Sequence, residues 1–478
     1  MTDYQELANK YITGSAEQIE DADPADASHI LAKIRLFSKT DAEAAVESAR
    51  SKVEHWSSTP GPKRGAILLK AGEVMESLVE ELSELMTLEE GKTLADSMAE
   101  VSRSCALFKF YGAMAYKHGG ITLPSAEPRT RIMTFREPVG VVAVITPWNF
   151  PSSIPAWKIA PALAAGDSLV FKPATKTPLM AAKIAEVLDA VGLPKGVLNL
   201  VVGRGGEVGD VIVAHEDVAA VSLTGSTGVG TRVGQRLASK RTMTRVQLEL
   251  GGKNALYVDS EADLALGADL AVRGAFGLTG QSCTATSRLI VHASVEDGFK
   301  ARLLERLKTW KVGPGTQPGV NMGPVVDQDQ YRKDVDYIRA GEDEGGKLLH
   351  GGAGKSQGLF LEPTVFDDVT PGMKIFDEEI FGPILSLTSA DTIEGAIDLV
   401  NSVEYGHTAG IVSKDFNHIN SFIDGVQTGV IKVNKPTVGL ELQAPFGGFK
   451  KSGAGTWKEL GEEGLEFYSR EKTVYLGY

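Results

Sequence analysis

From Val139 onward the chain alternates short β-branched runs with helical stretches: VGVVAVIT, AWKIAPALAAG, SLVFKPA, LMAAKIAEVLDAVG, GVLNLVVG and VAAVSLTG. Apolar runs of this kind suit strands buried on both faces, and the helical stretch between each pair makes neighbouring strands parallel. The rhythm restarts after Gly251 through SRLIVHASV, the helical VEDGFKARLLERLKTW, ILSLTSA, TIEGAIDLVNSV, HTAGIVS and VIKVN. Two α/β units follow, which suits the 478 residues of the chain. Residues 40 to 120 read as helices, with Ala66, Leu69, Val74 and Leu78 on one apolar stripe and Leu82, Leu85, Met86 and Leu88 on another. GGITLPSAEPRTRIMTFREP and the terminal LEFYSREKTVYLGY fit neither unit and read as extended edge segments of the kind that pair between subunits.

Composition narrows the function. The formal charge of -13, from 62 acidic and 49 basic residues without a long block of either sign, argues against nucleic acid and anionic membranes as partners. No run approaches the ~18 apolar residues of a membrane span. The first residues lack the basic and apolar parts of a secretory signal, so a cytoplasmic protein is expected. Cys105 and Cys283 are the only cysteines, which excludes a disulfide framework, and the eight histidines show no metal-ligand spacing.

Several segments could carry chemistry. VAAVSLTG runs into Gly225-Ser226-Thr227-Gly228-Val229-Gly230 and a helix with Val229, Val233 and Leu237 on one face. A glycine-rich helix start can hold a phosphate on free N–H groups, although an ordinary strand-to-helix turn has the same pattern. Lys172 in KPATKTP falls at a strand's carboxyl end, where open α/β sheets bind ligands, or is a solvated surface lysine. Cys283 in GLTGQSCTATSRLIV sits in a Gly- and Ser-rich turn ahead of a strand; a free cysteine is more often inert core, but this setting favours a reactive thiol. A thiolate that adds to an aldehyde leaves a thioester after hydride departure, and hydrolysis then needs a base. Glu249 in QLELGGK is a candidate base, with an ion pair to Lys253 as the alternative, and Asn149 in ITPWNFP can donate to an oxyanion or form a turn.

Taken together, ITPWNFP, KPAT, LTGST, LELGGK, GQSCTA, EEIFGP and PFGGFK occur in the order seen in the aldehyde dehydrogenase superfamily, which the chain resembles along essentially its whole length. The resemblance implies a Rossmann-like cofactor domain over 1–121 and 139–250 and an α/β catalytic domain over 251–451. It also implies a small β ribbon over 122–138 and 464–478 that makes a homodimer or homotetramer. It implies Cys283 as nucleophile, Glu249 as base and Asn149 as oxyanion donor. For the cofactor it implies Lys172 at the adenosine ribose, Gly225 and Ser226 at the pyrophosphate, and Glu379 and Phe381 at the nicotinamide ribose. Trp148 lines the groove, and Thr146, Thr175, Gly205, Val229 and Leu250 complete the cofactor contacts.

Thr175 stands where many NAD-preferring members carry a glutamate that would repel a 2′-phosphate, and Lys176 or Arg204 could add positive charge. NADP is therefore the expected cofactor, with NAD use left open. Gly228 also departs from the glutamate common there. IKVNKPTVGLELQAPFGGFKKSGAG resembles the corresponding stretch of 2,5-dioxopentanoate (2-oxoglutarate semialdehyde) dehydrogenases. Such a substrate carries a carboxylate, and Arg103 falls at a tunnel-lining position in relatives, with pairing to Glu100 as the bland alternative. Phe150, Ile154, Trp157 and Phe446 are the expected apolar walls, and Gly277 stands where an aromatic often narrows the pocket. The competing activities are a CoA-acylating dehydrogenase, against which Glu249 argues, a cysteine hydrolase, for which no motif supplies a histidine, and a non-catalytic binding protein.

Overall fold

The computed structural model describes residues 3–352, 354, 358–453 and 457–478; Ala454 and Gly455 of the SGAG stretch lie outside them. The β-branched runs form two open sheets. The first has five parallel strands in the order Leu198–Leu200, Ser168–Lys172, Val141–Ile145, Val218–Thr224, Arg245–Glu249. From Val141–Ile145 the chain steps outward to Leu198–Leu200, then returns to the other side of its starting strand with Val218–Thr224. This reversal opens a crevice beyond the carboxyl ends of those two strands.

The second sheet orders its strands Lys347–His350, Thr364–Asp367, Ile384–Ala390, Thr286–His292, Asn254–Val258, Thr408–Val412, Val430–Val433. All are parallel except Lys347–His350, which runs antiparallel to Thr364–Asp367. The last strand of the first sheet ends at Glu249, and the first strand of the second begins at Asn254. Only four residues, Leu250 to Lys253, join the two. That short link places the carboxyl ends of one sheet beside the start of the other.

Thr130–Pro138 pairs antiparallel with Ser469–Gly477 along its whole length and with Thr122–Leu123 on its other edge. The two segments read as edge strands thus pair with each other inside the chain. An N-terminal hairpin, Gln18–Asp23 with Asp26–Arg35, has no counterpart in the sequence reading. No helix among the described residues is long and apolar enough to cross a membrane.

The helical layer forms at Lys39–Ser57, Gly61–Ser77, Val79–Glu90 and Leu94–Met114. Leu82, Leu85 and Met86 are buried, as their stripe predicts. The stripe on Gly61–Ser77 is displaced: its buried face is Arg64, Gly65, Leu68, Ala71, Gly72 and Met75, while Ala66 is exposed. The reason is close approach. A Cβ on Gly65 would strike the carbonyl of Gly112, and one on Gly72 would lie 2.7 Å from the carbonyl of Cys105, both on helix Leu94–Met114. Glycine sets the contact face but carries no apolar signal. Gly65→Ala should therefore destabilise the protein by about 1–3 kcal/mol, read as an earlier thermal or urea transition, whereas Ala66→Ser should leave the transition in place; an unshifted Gly65→Ala transition would show that the helices can part.

Candidate active site

Beyond Val141–Ile145 the chain turns through Thr146 to Phe150 and enters helix Ser153–Ala165, every residue of which is buried. The Thr146 N–H donates to the Lys172 carbonyl at 3.1 Å, tying two strand ends together. Asn149 is buried. One amide N–H donates to the Gln281 carbonyl at 2.9 Å, and the amide's second hydrogen is uncommitted. Gln281 lies two residues before Cys283, so the Asn149 turn and the cysteine turn are stitched together.

The cysteine turn is wound tightly. Leu278, Thr279 and Gly280 take φ of 53°, 56° and 68°, a left-handed run that costs non-glycine residues energy and persists where neighbours hold it. Here Thr279 Oγ1 donates to the Gly323 carbonyl at 3.2 Å, and Gln281 Oε1 accepts the Val326 N–H at 3.0 Å. Cys283 thereby comes to border two separate hollows.

One hollow continues the crevice of the first sheet. Trp148, Gly225, Ser226, Leu250, Glu379 and Phe381 line it, together with Asn149. Ser226 caps helix Thr227–Ala238, accepting the Val229 N–H at 3.4 Å. Phe381 has φ 66° and meets Trp148 edge-on at 5.6 Å. Glu379 Oε1 accepts the Gly252 N–H at 2.8 Å, an approach that a Cβ on Gly251 would obstruct. A Cβ on Gly228 would meet nothing within 4 Å, so close packing does not require glycine there.

Five expected cofactor residues stand outside this lining. Lys172 is buried, donates to the Pro173 carbonyl at 2.9 Å and lies against Gly209; burial lowers its pKa to about 8. Gly205 opens the π-helical turn Gly205–Gly209, Thr146 lies beneath the turn, and Thr175 is half-buried. Val229 is 45% exposed on the first turn of its helix. Two helpers expected beside Thr175 are already engaged. Lys176 pairs with Asp327 at 2.5 Å and lies over Trp148, and Arg204 pairs with Glu17.

The other hollow is walled by Arg103, Phe150, Trp157, Leu278 and the segment Val438–Leu440. Arg103 makes no ion pair or hydrogen bond among the described residues. The alternative pairing with Glu100 fails because Glu100 binds Lys92 at 2.6 Å and accepts the N–H groups of Ser152 and Ser153. Two expected walls are placed differently. Ile154 faces the first hollow, and Phe446 lies behind Trp157, with ring centroids 6.1 Å apart. A Cβ on Gly277 would meet open space.

Glu249 is buried at the end of its strand, where its carboxylate accepts the Gly448 N–H at 3.2 Å. Burial raises its pKa well above the usual range and Glu459 adds to this, against the Gly448 N–H, Lys158 and Lys458. The expected alternative, a pair with Lys253, does not form: the Lys253 ammonium has no partner among the described residues, and burial lowers its pKa to about 7. The Cys283 thiol is also pushed up, by burial first and then by Glu379, Glu249 and Glu459.

A model of the aldehyde dehydrogenase family matches residues 11–474. This chain belongs to that family. It is 64% identical to the 2,5-dioxopentanoate dehydrogenase of Saccharolobus solfataricus over the full length of both chains. Betaine aldehyde dehydrogenase from Staphylococcus aureus, solved in complex with NAD+, superposes with a TM-score of 0.94 at 35% identity, covering 99% of this chain and 97% of that one. An NADP-dependent enzyme from E. coli superposes with a TM-score of 0.93 at 31% identity, covering 97% and 95%. The protein is thus an aldehyde-oxidising enzyme that uses a nicotinamide cofactor.

In this aldehyde dehydrogenase the structure adds residues that the motifs did not reveal. Gln330 and Lys333, from helix Gln328–Asp343, enter the Trp148 hollow. Lys158 is buried, donates to Ser222 Oγ at 2.9 Å and pairs with Glu459. A lysine inside the otherwise apolar IPAWKIAPALAA was a readable signal. Glu459 offered none. Among the described residues no group of three His, Cys, Asp or Glu side chains could hold a metal ion.

Proposed function

We propose that this aldehyde dehydrogenase hydrolytically oxidises a semialdehyde bearing a carboxylate, 2,5-dioxopentanoate, with NADP preferred over NAD. The observation that carries the reading is Cys283 at the border of two hollows, one of them holding an arginine without an ion-pair partner among the described residues. The Cys283 thiol releases its proton to water as its sulfur adds to the aldehyde carbon. The resulting oxyanion is met by the uncommitted Asn149 amide hydrogen and the Cys283 backbone N–H. Bound NAD(P) supplies a hydride acceptor. Loss of hydride from the tetrahedral carbon leaves a thioester on Cys283, and Glu249 removes a proton from the water that attacks it, releasing the acid and the thiol. A carboxylate whose pKa burial has raised is suited to this, because it is a stronger base than an ordinary one.

Charge supports the substrate class. Lys432, on strand Val430–Val433, donates to the Gly439 carbonyl at 2.8 Å, and Gly439 borders the Arg103 hollow. Its pKa is lowered by burial and, in the same direction, by Lys435 and Arg103, against Glu441. Two cations at one mouth favour an anionic end on the aldehyde, and arginine binds a carboxylate through parallel N–H groups. The relative from Saccharolobus, named for 2,5-dioxopentanoate, agrees. The NADP preference rests on Thr175, which presents a hydroxyl where a carboxylate would repel a 2′-phosphate, with Lys172 at the preceding strand end.

Three measurements test these roles. In a panel run with both cofactors, with and without CoA, 2,5-dioxopentanoate should exceed pentanal in kcat/KM, NADP should give the lower KM, and product formation should not require CoA. Arg103→Met should lower kcat/KM for the carboxylated aldehyde by about 10²-fold or more, the cost of truncating one partner of a buried charge pair, and leave pentanal unchanged. Equal rates for the two aldehydes in wild type would defeat the carboxylate site, and CoA-dependent acyl-CoA formation would defeat hydrolysis.

Deacylation should accelerate with pH through an inflexion above the ordinary carboxylate range of about 4–5, as Glu249 loses its proton. Glu249→Gln should turn progress curves into a burst of reduced cofactor followed by a slow phase without that inflexion. A linear, fast curve would remove Glu249 from the role.

The ribbon exposes Phe135, Tyr475 at 71% and Tyr478 at 69%. We infer that a second copy covers it, so light scattering should give the mass of a dimer or tetramer, and a monomer mass would reject the interface.

A further inference from the structure

The proposed chemistry requires the Asn149 amide to be fixed before the aldehyde arrives, since an oxyanion donor that must reorganise loses most of its effect. Its turn is not part of either sheet. Phe150 and Pro151 separate Asn149 from the first turn of helix Ser153–Ala165, and the capping residue Ser152 makes no side-chain cap of its own. The leading N–H groups of that helix therefore need an outside acceptor.

They find it in Glu100. One carboxylate oxygen accepts the Ser152 and Ser153 N–H groups at 2.9 and 3.0 Å, and the other binds the Lys92 ammonium at 2.6 Å. Lys92 also donates to the backbone carbonyl of Asn149 itself at 2.6 Å, and lies 4.8 Å from the centroid of the Phe150 ring. Its third neighbour is Glu90 at 3.8 Å. Two hydrogens of the ammonium are thus committed, and the turn is gripped at the Asn149 oxygen on one side and the Ser152 and Ser153 nitrogens on the other.

The grip is anchored to the same frame as the nucleophile. Gly315 and Gly323 pack so closely on the backbone of Gly91 and Lys92 that a Cβ on either would collide with a carbonyl there. The Leu94 N–H donates to Gly315 at 3.0 Å, while the Gly323 carbonyl also receives Thr279 Oγ1 from the cysteine turn. One backbone segment therefore holds the Lys92 loop and the Cys283 loop.

We propose that Lys92, acting with Glu100, is the positioning residue of the oxyanion site, holding the Asn149 turn in register with Cys283 through the Asn149 backbone carbonyl. The inference rests on the reading of Asn149 as oxyanion donor. Burial alone would lower the pKa of Lys92, but Glu100 and Glu90 more than offset it, so the ammonium keeps its charge. Burial raises the Glu90 pKa to about 8, so Glu100 is the stronger of the two negative partners.

The test is the stopped-flow burst of reduced cofactor in the full-length enzyme, with pentanal as substrate so that the Arg103 end is not involved. Lys92→Met combined with Glu100→Gln removes both charges together, and the glutamine oxygen can still accept the helix N–H groups. The burst should slow by about 10²-fold, the cost of displacing a catalytic group by roughly 1 Å, with cofactor affinity unchanged. Asn149→Ala alone should cost about 10²–10³-fold, but added to the double variant it should cost little more, because the amide is already out of place.

A wild-type burst in the double variant, or losses that multiply when Asn149→Ala is added, would overturn the proposal. An undiminished burst in Asn149→Ala alone would instead sink the reading of Asn149, a separate failure. Should the double variant not fold, Lys92→Arg decides: it keeps the charge but not the compact set of three donors, so its burst should be slower than wild type with cofactor affinity intact, and an unchanged burst would reject the role.

Discussion

Buried charge, more than any single contact, dictates how this protein is put together. Lys92, Glu90 and Glu100 on one side, and Lys158, Glu459 and Glu249 on the other, are removed from water around the Asn149 turn and helix Ser153–Ala165. Each such group is costly unless opposite charge and hydrogen bonds surround it. That demand determines which segments meet. The C-terminal loop carrying Glu459 must reach Lys158, the Lys92 loop must reach the Asn149 carbonyl, and Gly448 must present its N–H to Glu249. Segments from 57 to 301 residues apart are thereby brought together.

The same electrostatics shape reactivity. Three carboxyl groups near Cys283, together with burial, favour the neutral thiol in the resting protein. A thiol held neutral resists oxidation and stray alkylation. Glu249 is tuned the same way, since a carboxylate buried beside Glu459 has a greater hunger for protons than one in water. Burial and neighbouring carboxylates thus raise the pKa of nucleophile and base alike.

Much of this was legible in the chain. The alternating runs located four of the first sheet's five strands because buried parallel strands must be continuously apolar, and the ordered motifs pointed to Cys283, Asn149, Trp148, Glu379 and Phe381, which line two adjoining hollows, and to Glu249, buried at the end of its strand. Where the reading went astray, the cause is specific. The helix stripe through Ala66 and Leu69 slipped because Gly65 and Gly72 make the contact without apolar side chains. Lys176 and Arg204 looked available because ion pairs with Asp327 and Glu17 join residues far apart in sequence. The alternative pairing of Arg103 with Glu100, three residues away, does not form because Glu100 is claimed by Lys92 and a helix start. Lys92, Glu100, Lys333 and Glu459 were silent for a common reason: their partners are chosen by tertiary packing, and a lone charged residue in a loop or helix reads as solvated surface.

The position of Cys283 then follows from backbone rather than side-chain chemistry. The left-handed run at Leu278, Thr279 and Gly280 bends the chain sharply just before it, and Gly280 is indispensable there because a Cβ would strike the Gly382 carbonyl. The bend leaves Cys283 bordering both hollows, the one lined by Arg103 and the one lined by Trp148. Because Arg103 and Trp148 belong to different linings, a change at Arg103 need not touch the Trp148 hollow.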